Sequence, residues 1–326
     1  APVTAVAAAP AATCDLPTPA LIAAAGPQAR RRFLEFFTVS IRNPNTREAY
    51  ARACAQFLTW CEERRFQLET IEPMVVAAYI EELGKTRAPR SVKLQLAAIR
   101  KMFDWLVVGQ VLPHNPAHAV RGPKFSAAVG TTVVLSSEET RRLLATITTS
   151  HVVGLRDRAL IAVMLFTFGR VSAVTGLKVE DYYQAGAKRW RLRLREKGGK
   201  LLDVPVHHLA EEYLDAYLDA AGIRADKKGP LFRSAPGRHR ERRLTDHAIE
   251  RTEVWEMIRR RAKDAGIAAA VCCHSCRAIG ITTYLANGGR IDHAQKQAGH
   301  ADARTTKLYD RRGEDISLDE VERIVL

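Results

Sequence analysis

The chain has 326 residues, 47% hydrophobic and 26% charged, with a formal net charge of +14. That length calls for two domains rather than a single small core. Six unevenly spaced cysteines exclude a disulfide framework, and no apolar run is long enough to span a bilayer. A cation excess of this size points to a polyanion, most commonly nucleic acid, against the plainer alternative of a basic protein with no such partner.

The first segment, 1–27, is rich in Ala and Pro and lacks the basic start and unbroken apolar stretch of a signal peptide. It reads as a mobile extension, and a reducing cytoplasm is the expected compartment. Residues 28–112 are helical in pattern. Asn43-Pro44-Asn45-Thr46 caps a helix carrying Tyr50, Phe57, Leu58 and Cys61. Pro73 opens another, with Val76, Tyr79, Ile80 and Leu83, expected to stop at Gly84. A third starts near Arg90, and its Val92, Leu96, Ile99, Phe103 and Leu106 follow the 3.6-residue period. Arg90, Lys93, Arg100 and Lys101 share another face of it, which fits either a solvated charged surface or a row of cations on DNA phosphates.

Residues 113–126 have the Pro, Gly and His content of a linker. Beyond it, Ser136-Ser137-Glu138-Glu139 marks a helix start, and Leu160 to Phe168 is apolar enough to be buried. In Arg189 to Arg195, Trp190, Leu192 and Leu194 alternate with arginines, the period of a half-exposed strand with a cationic face. Gly198-Gly199 then predicts a hairpin turn, with Val204 and Val206 on the return strand. The like charges of Arg189, Arg191, Arg193 and Arg195 repel, and a phosphate backbone would relieve that repulsion. Helices follow at about 208–221, 245–265 and 276–287. The last segment, 312–326, is a short amphipathic helix with a capping box at Ser317 and Glu320. It is too short to be stable alone and must dock, on its own domain or a neighbouring subunit.

ATP-binding and zinc-hydrolase motifs are absent: there is no GxxxxGK[ST], HExxH, EF-hand loop or GxGxxG. The run Cys272-Cys273-His274-Ser275-Cys276 invites a metal reading. Cys273 and Cys276 have CxxC spacing, but zinc needs a second pair, and Cys14, Cys54 and Cys61 lie elsewhere. A thioredoxin-like setting is missing too, so the cysteines read as packing and neither metal nor cofactor is expected.

That leaves His274 and Arg277, spaced HxxR. Together with Arg170 in "FGRVSAVTGLKVED", Lys197 in "KGGK", Gly299-His300 and Tyr309, they make an ordered set that resembles the tyrosine recombinase (phage integrase) superfamily. The resemblance covers Ser136 onward, and the helical N-terminal half looks like the family's core-binding domain. It departs from the family pattern at Ala173, where an acid usually braces the arginine, at Cys276 for Leu, and at Ala278 for a frequent His.

The resemblance implies a mainly α fold with a small antiparallel sheet: a SAM-like core-binding domain over 28–112 and a mixed α+β catalytic domain over 127–311. It also implies Arg170, Arg277 and His300 as phosphate-binding groups, Tyr309 as nucleophile, His274 as proton acceptor and Lys197 as general acid, with Lys200 second in line. DNA contacts are expected from Arg90, Lys93, Arg100, Lys101, Arg191, Arg193 and Lys200. The implied partners are double-stranded DNA with specific recombination sites, three further copies forming a tetramer on two duplexes, and accessory proteins, in a nucleoid-associated cytoplasmic setting with no membrane. A type IB topoisomerase-like activity and a catalytically silent DNA-binding protein are the alternatives.

Overall fold

A computed structural model describes residues 18–124, 130, 132–186, 189–196, 199–236 and 243–311. Lys197, Gly198, Cys14 and the expected tail helix at 312–326 lie outside the described residues. The chain divides into two compact units, residues 1–126 and 127–326. Among the described residues no helix is long and apolar enough to cross a membrane.

The first unit is all helix. It contains α1 (Ala20–Ala24), α2 (Pro27–Glu35) followed by a π-helical turn at Phe36–Ser40, α3 (Pro44–Glu63), α4 (Pro73–Thr86) and α5 (Pro89–Val108). Prolines open α2, α3, α4 and α5, where a missing N–H costs nothing. Asn43 caps α3 by accepting from the Asn45 and Thr46 amides. The apolar stripes of α3 and α5 meet in a core built on Phe57, Leu58, Ile99 and Phe103, with the Phe57 ring edge-on to Tyr79 of α4.

Three expectations for this unit need correction. The extension is not mobile throughout: α1 buries Leu21 and Ile22 in the core, and Glu62 accepts from the Leu21 amide at 2.7 Å. Docking stabilises a helix far too short to persist alone. Helix α4 runs past Gly84 to Thr86, because a single glycine weakens a helix without ending it. The segment read as linker is packed as far as Val120: Leu112, Ala117 and Val120 are buried, and Asn115 bonds to the Arg100 carbonyl and to Asp104.

The second unit surrounds α7 (Val152–Thr167), buried on nearly all sides and packed by α9 (His208–Ala221) and α11 (Cys273–Ala286). Helix α6 (Ser137–Ala145) begins with the expected capping box, Ser136 and Glu139 bonding reciprocally. After α8 (Val171–Thr175), strands β1 (Tyr182–Gln184), β2 (Trp190–Arg195) and β3 (Leu201–Pro205) form an antiparallel sheet in that order. Leu192 and Leu194 face the core opposite Val204 and Leu202. The arginine row of β2 is partly neutralised from within: Arg191 pairs with Asp203 at 2.7 Å, Arg195 lies 3.6 Å from Asp181, and Arg193 covers the Tyr183 ring. Part of the repulsion is therefore relieved within the fold itself. Helix α10 (Arg251–Asp264) starts later than expected, since Ile249 bonds to the Phe232 carbonyl and the chain before it is extended. Helices α12 (Ile291–Ala298) and α13 (Ala303–Lys307) complete the described unit.

Candidate active site

Helix α11 supplies two of the predicted side chains. The Ser275 hydroxyl accepts from the Cys272 amide at 3.2 Å and fixes the helix entry. His274 and Arg277, three residues apart, then fall on one face.

Arg277 is 1% exposed. Its two terminal nitrogens donate to the carbonyls of Phe168, just past α7, and Ala298, the last residue of α12. Both are helix C-termini, whose partial negative charge suits a guanidinium. Phe168 itself is left-handed, with φ 56°, a conformation a bulky residue keeps only where its surroundings hold it. Gly280 makes the approach possible, since a side chain there would collide with the Leu165 carbonyl and the Phe168 ring. Burial and the nearby Arg170 lower the Arg277 pKa to about 10, so it stays cationic at neutral pH.

Arg170, at the start of α8, keeps 35% of its side chain exposed and pairs with Glu196 at the end of β2. His300 follows Gly299, whose φ of +61° closes α12 without the penalty a side chain would bring. The His300 Nδ1 lies 2.9 Å from the Thr306 hydroxyl, and its ring stacks on Tyr309 with centroids 5.8 Å apart. Burial, then Arg277, Arg170 and His274, push the His300 pKa down to about 4, leaving the imidazole neutral.

Tyr309 is 7% exposed and packs among Phe168, Ala278, Ile281 and Leu285. Its hydroxyl is 2.9 Å from His274 Nε2. Burial raises the phenol pKa, while Arg277 and Arg170 pull against that rise. His274 is exposed as a residue, yet the hydration its imidazole loses and the same two arginines hold its pKa below the ordinary imidazole value. The pair therefore rests as a protonated phenol beside a neutral imidazole able to accept its proton.

Five of the six predicted catalytic residues thus meet within one unit of one chain, and Lys197 lies outside the described residues. Lys200 is exposed beside the hairpin turn. Among the proposed DNA contacts, Arg90, Lys93 and Lys101 are exposed on α5. Arg100 is half-buried and spends its guanidinium on the carbonyls of Ala117 and Val120, tying residues 115–120 to α5, so its evident task is structural. The cysteines are free thiols, Cys276 fully buried and Cys272 and Cys273 partly so. Among the described residues no cluster of His, Cys, Asp or Glu could hold a metal.

Two site residues escaped the sequence reading. Glu196 continues the inward row Trp190, Leu192, Leu194, and an acid on the buried parity of a strand signals a cation waiting inside. Thr306 carries no comparable signal; only the tertiary fold brings it to His300.

Residues 133–314 match the phage integrase family, and residues 31–109 match the phage integrase N-terminal SAM-like domain. The chain belongs to the phage integrase family. This integrase-family chain is a tyrosine-type site-specific recombinase, with the two-domain, mainly α architecture expected from its motifs. It is 27% identical over 267 residues to the tyrosine recombinase XerD of Lacticaseibacillus casei, covering 81% of this chain and 86% of that protein. With XerD of Listeria innocua the identity is 29% over 286 residues, covering 85% and 91%. Its fold is shared with the XerH site-specific recombinase bound to palindromic difH, at TM-score 0.69 and 18% identity over 91% of this chain and 84% of that one. A lambda integrase tetramer bound to a Holliday junction matches at TM-score 0.66 and 16% identity, over 89% and 79%.

Proposed function

We propose that this recombinase cuts and rejoins double-stranded DNA at specific sites through a 3′-phosphotyrosine on Tyr309, using fixed protein cations in place of a metal or nucleotide cofactor. The observation that carries this reading is the 2.9 Å contact between the Tyr309 hydroxyl and a neutral His274 beside Arg277 and Arg170. Two guanidiniums that repel each other gain from an anion placed between them, and their planar donor forks suit a phosphate. As the phosphorus becomes pentavalent, charge grows on the non-bridging oxygens, where Arg170, Arg277 and His300 act.

In the forward step the phenol proton passes to His274, and the Tyr309 oxygen attacks phosphorus. The bond to the 5′-oxygen breaks, and Lys197, or Lys200 in its place, protonates the departing alkoxide. The phosphotyrosine keeps the energy of the broken diester, so a 5′-hydroxyl of another strand can attack it and release Tyr309. Four copies on two duplexes, with the 312–326 segment docking on a neighbour, complete the proposed assembly, in the nucleoid-associated cytoplasm. The solved lambda integrase tetramer on a Holliday junction supports the four-copy arrangement.

The test is a covalent trap. Duplexes selected by the chain from a random pool supply its binding sequence, and nicked versions of that sequence strand the covalent intermediate. The unaltered chain forms a protein–DNA adduct resistant to denaturant, and Tyr309→Phe binds with unchanged affinity and forms none. An adduct that persists in Tyr309→Phe would remove Tyr309 as nucleophile.

A further inference from the structure

Glu196 occupies a place where a carboxylate needs a reason. Its side chain is 2% exposed, on the inward row of β2. A carboxylate taken that far from water requires a cation, and Oε2 has one in Arg170 Nη1. The other oxygen, Oε1, is buried with no hydrogen-bond partner among the described residues. The backbone is fixed as well: the Glu196 amide donates to the Lys200 carbonyl at 2.8 Å, and its own carbonyl accepts from the Gly199 amide at 3.2 Å. Its Cγ would stand 3.7 Å from a Cβ on Gly299, next to His300. Glu196 thus touches the arginine, closes the hairpin turn, and abuts the corner that presents His300.

Arg170 needs such a hold. It sits at the mouth of a five-residue helix with 35% of its side chain exposed. Ala173, one turn along, is 3% exposed in the apolar core and offers no charge. We infer that Glu196 is the positioning residue of Arg170, fixing the guanidinium through one nitrogen and leaving its other donors for the scissile phosphate. The task that the family pattern gives to an acid at position 173 has moved to the end of β2. This inference rests on the reading of Arg170 as a phosphate-binding cation.

The test is a double-mutant cycle in the full chain, with Glu196→Gln, Arg170→Lys and the pair, read as single-turnover adduct formation on the nicked selected duplex. Glutamine keeps the shape and removes the charge; lysine keeps the charge and loses the planar fork. Glu196→Gln is expected to slow cleavage by about 10- to 100-fold, with DNA affinity not weakened, because the change adds net positive charge. In the Arg170→Lys background the same change should cost less than about twofold, the signature of two residues acting through one interaction. Glu196→Asp, charged but shorter, should recover part of the loss. Cleavage by Glu196→Gln at the unaltered rate would overturn the inference, as would losses that multiply in the double variant. Loss of binding and cleavage together, with a lowered Tm, would make Glu196 a folding residue only and also overturn it. No adduct from the unaltered chain would fail the phosphotyrosine reading itself, a result separate from any of these.

Discussion

The contact between His274 and Tyr309 fixes what each side chain can do before DNA arrives. Both are held in their uncharged forms, His274 by lost hydration and two arginines, Tyr309 by burial. Neutral imidazole is the working form of a proton acceptor, so the second-order rate of cleavage should persist as pH falls to the ordinary imidazole value of 6.5 and decline only below it. A bound phosphate offsets the arginines and raises the imidazole pKa, so the acidic limb of the maximal rate should lie above that of the second-order rate. Single-turnover pH profiles of adduct formation at low and saturating DNA check both statements. His274→Gln, which can hydrogen-bond but takes up no proton, should lower the maximal rate by about 100-fold and remove the acidic limb. All six predicted catalytic side chains, Lys197 included, could be named from motif order, because each belongs to a local pattern with its own spacing. Glu196 could not, since its meaning depends on Arg170, 26 residues earlier in the chain.

At the scale of elements, the helices with a full apolar stripe were legible: α3, α5 and α9 lie where their periodicity put them. Elements made by distant partners were not. Strand β1 has three residues, too few to display a period, and exists because Tyr182 pairs with Leu192 and stacks on Trp190. The late start of α10 reflects the bridge between Arg233 and Ala248, which no local propensity announces. The packing of α11 on α7 is likewise tertiary, and Gly280 is its pivot. Gly280→Ala should cost about 1–3 kcal/mol of stability through overpacking and should slow cleavage by displacing the Phe168 carbonyl that holds Arg277. Gly84→Ala, in α4 with open space around it, should instead stabilise by about 0.5–1 kcal/mol. Denaturant unfolding of the two variants decides whether close approach or helix propensity governs each site.

For the whole molecule, +14 is the net of 50 basic and 36 acidic side chains. Which cations stand free is a separate matter: Arg191 and Arg195 face acids of their own, and the Arg100 guanidinium is tied to backbone carbonyls. Binding to the selected duplex should still weaken steeply with salt, and Lys101→Gln should reduce the slope of log K against log salt by about 1. A slope unchanged by Lys101→Gln would remove Lys101 from the proposed DNA contacts. Arg277 carries a different consequence. Its guanidinium is held by the ends of two helices far apart in sequence, and the helix bearing it must pack against both. The proposed phosphate site therefore has no existence in a half-folded copy: a chain in which these helices have not packed carries Tyr309 without a placed Arg277. Assembly of the fold and assembly of the proposed chemistry are, by this arrangement, one event.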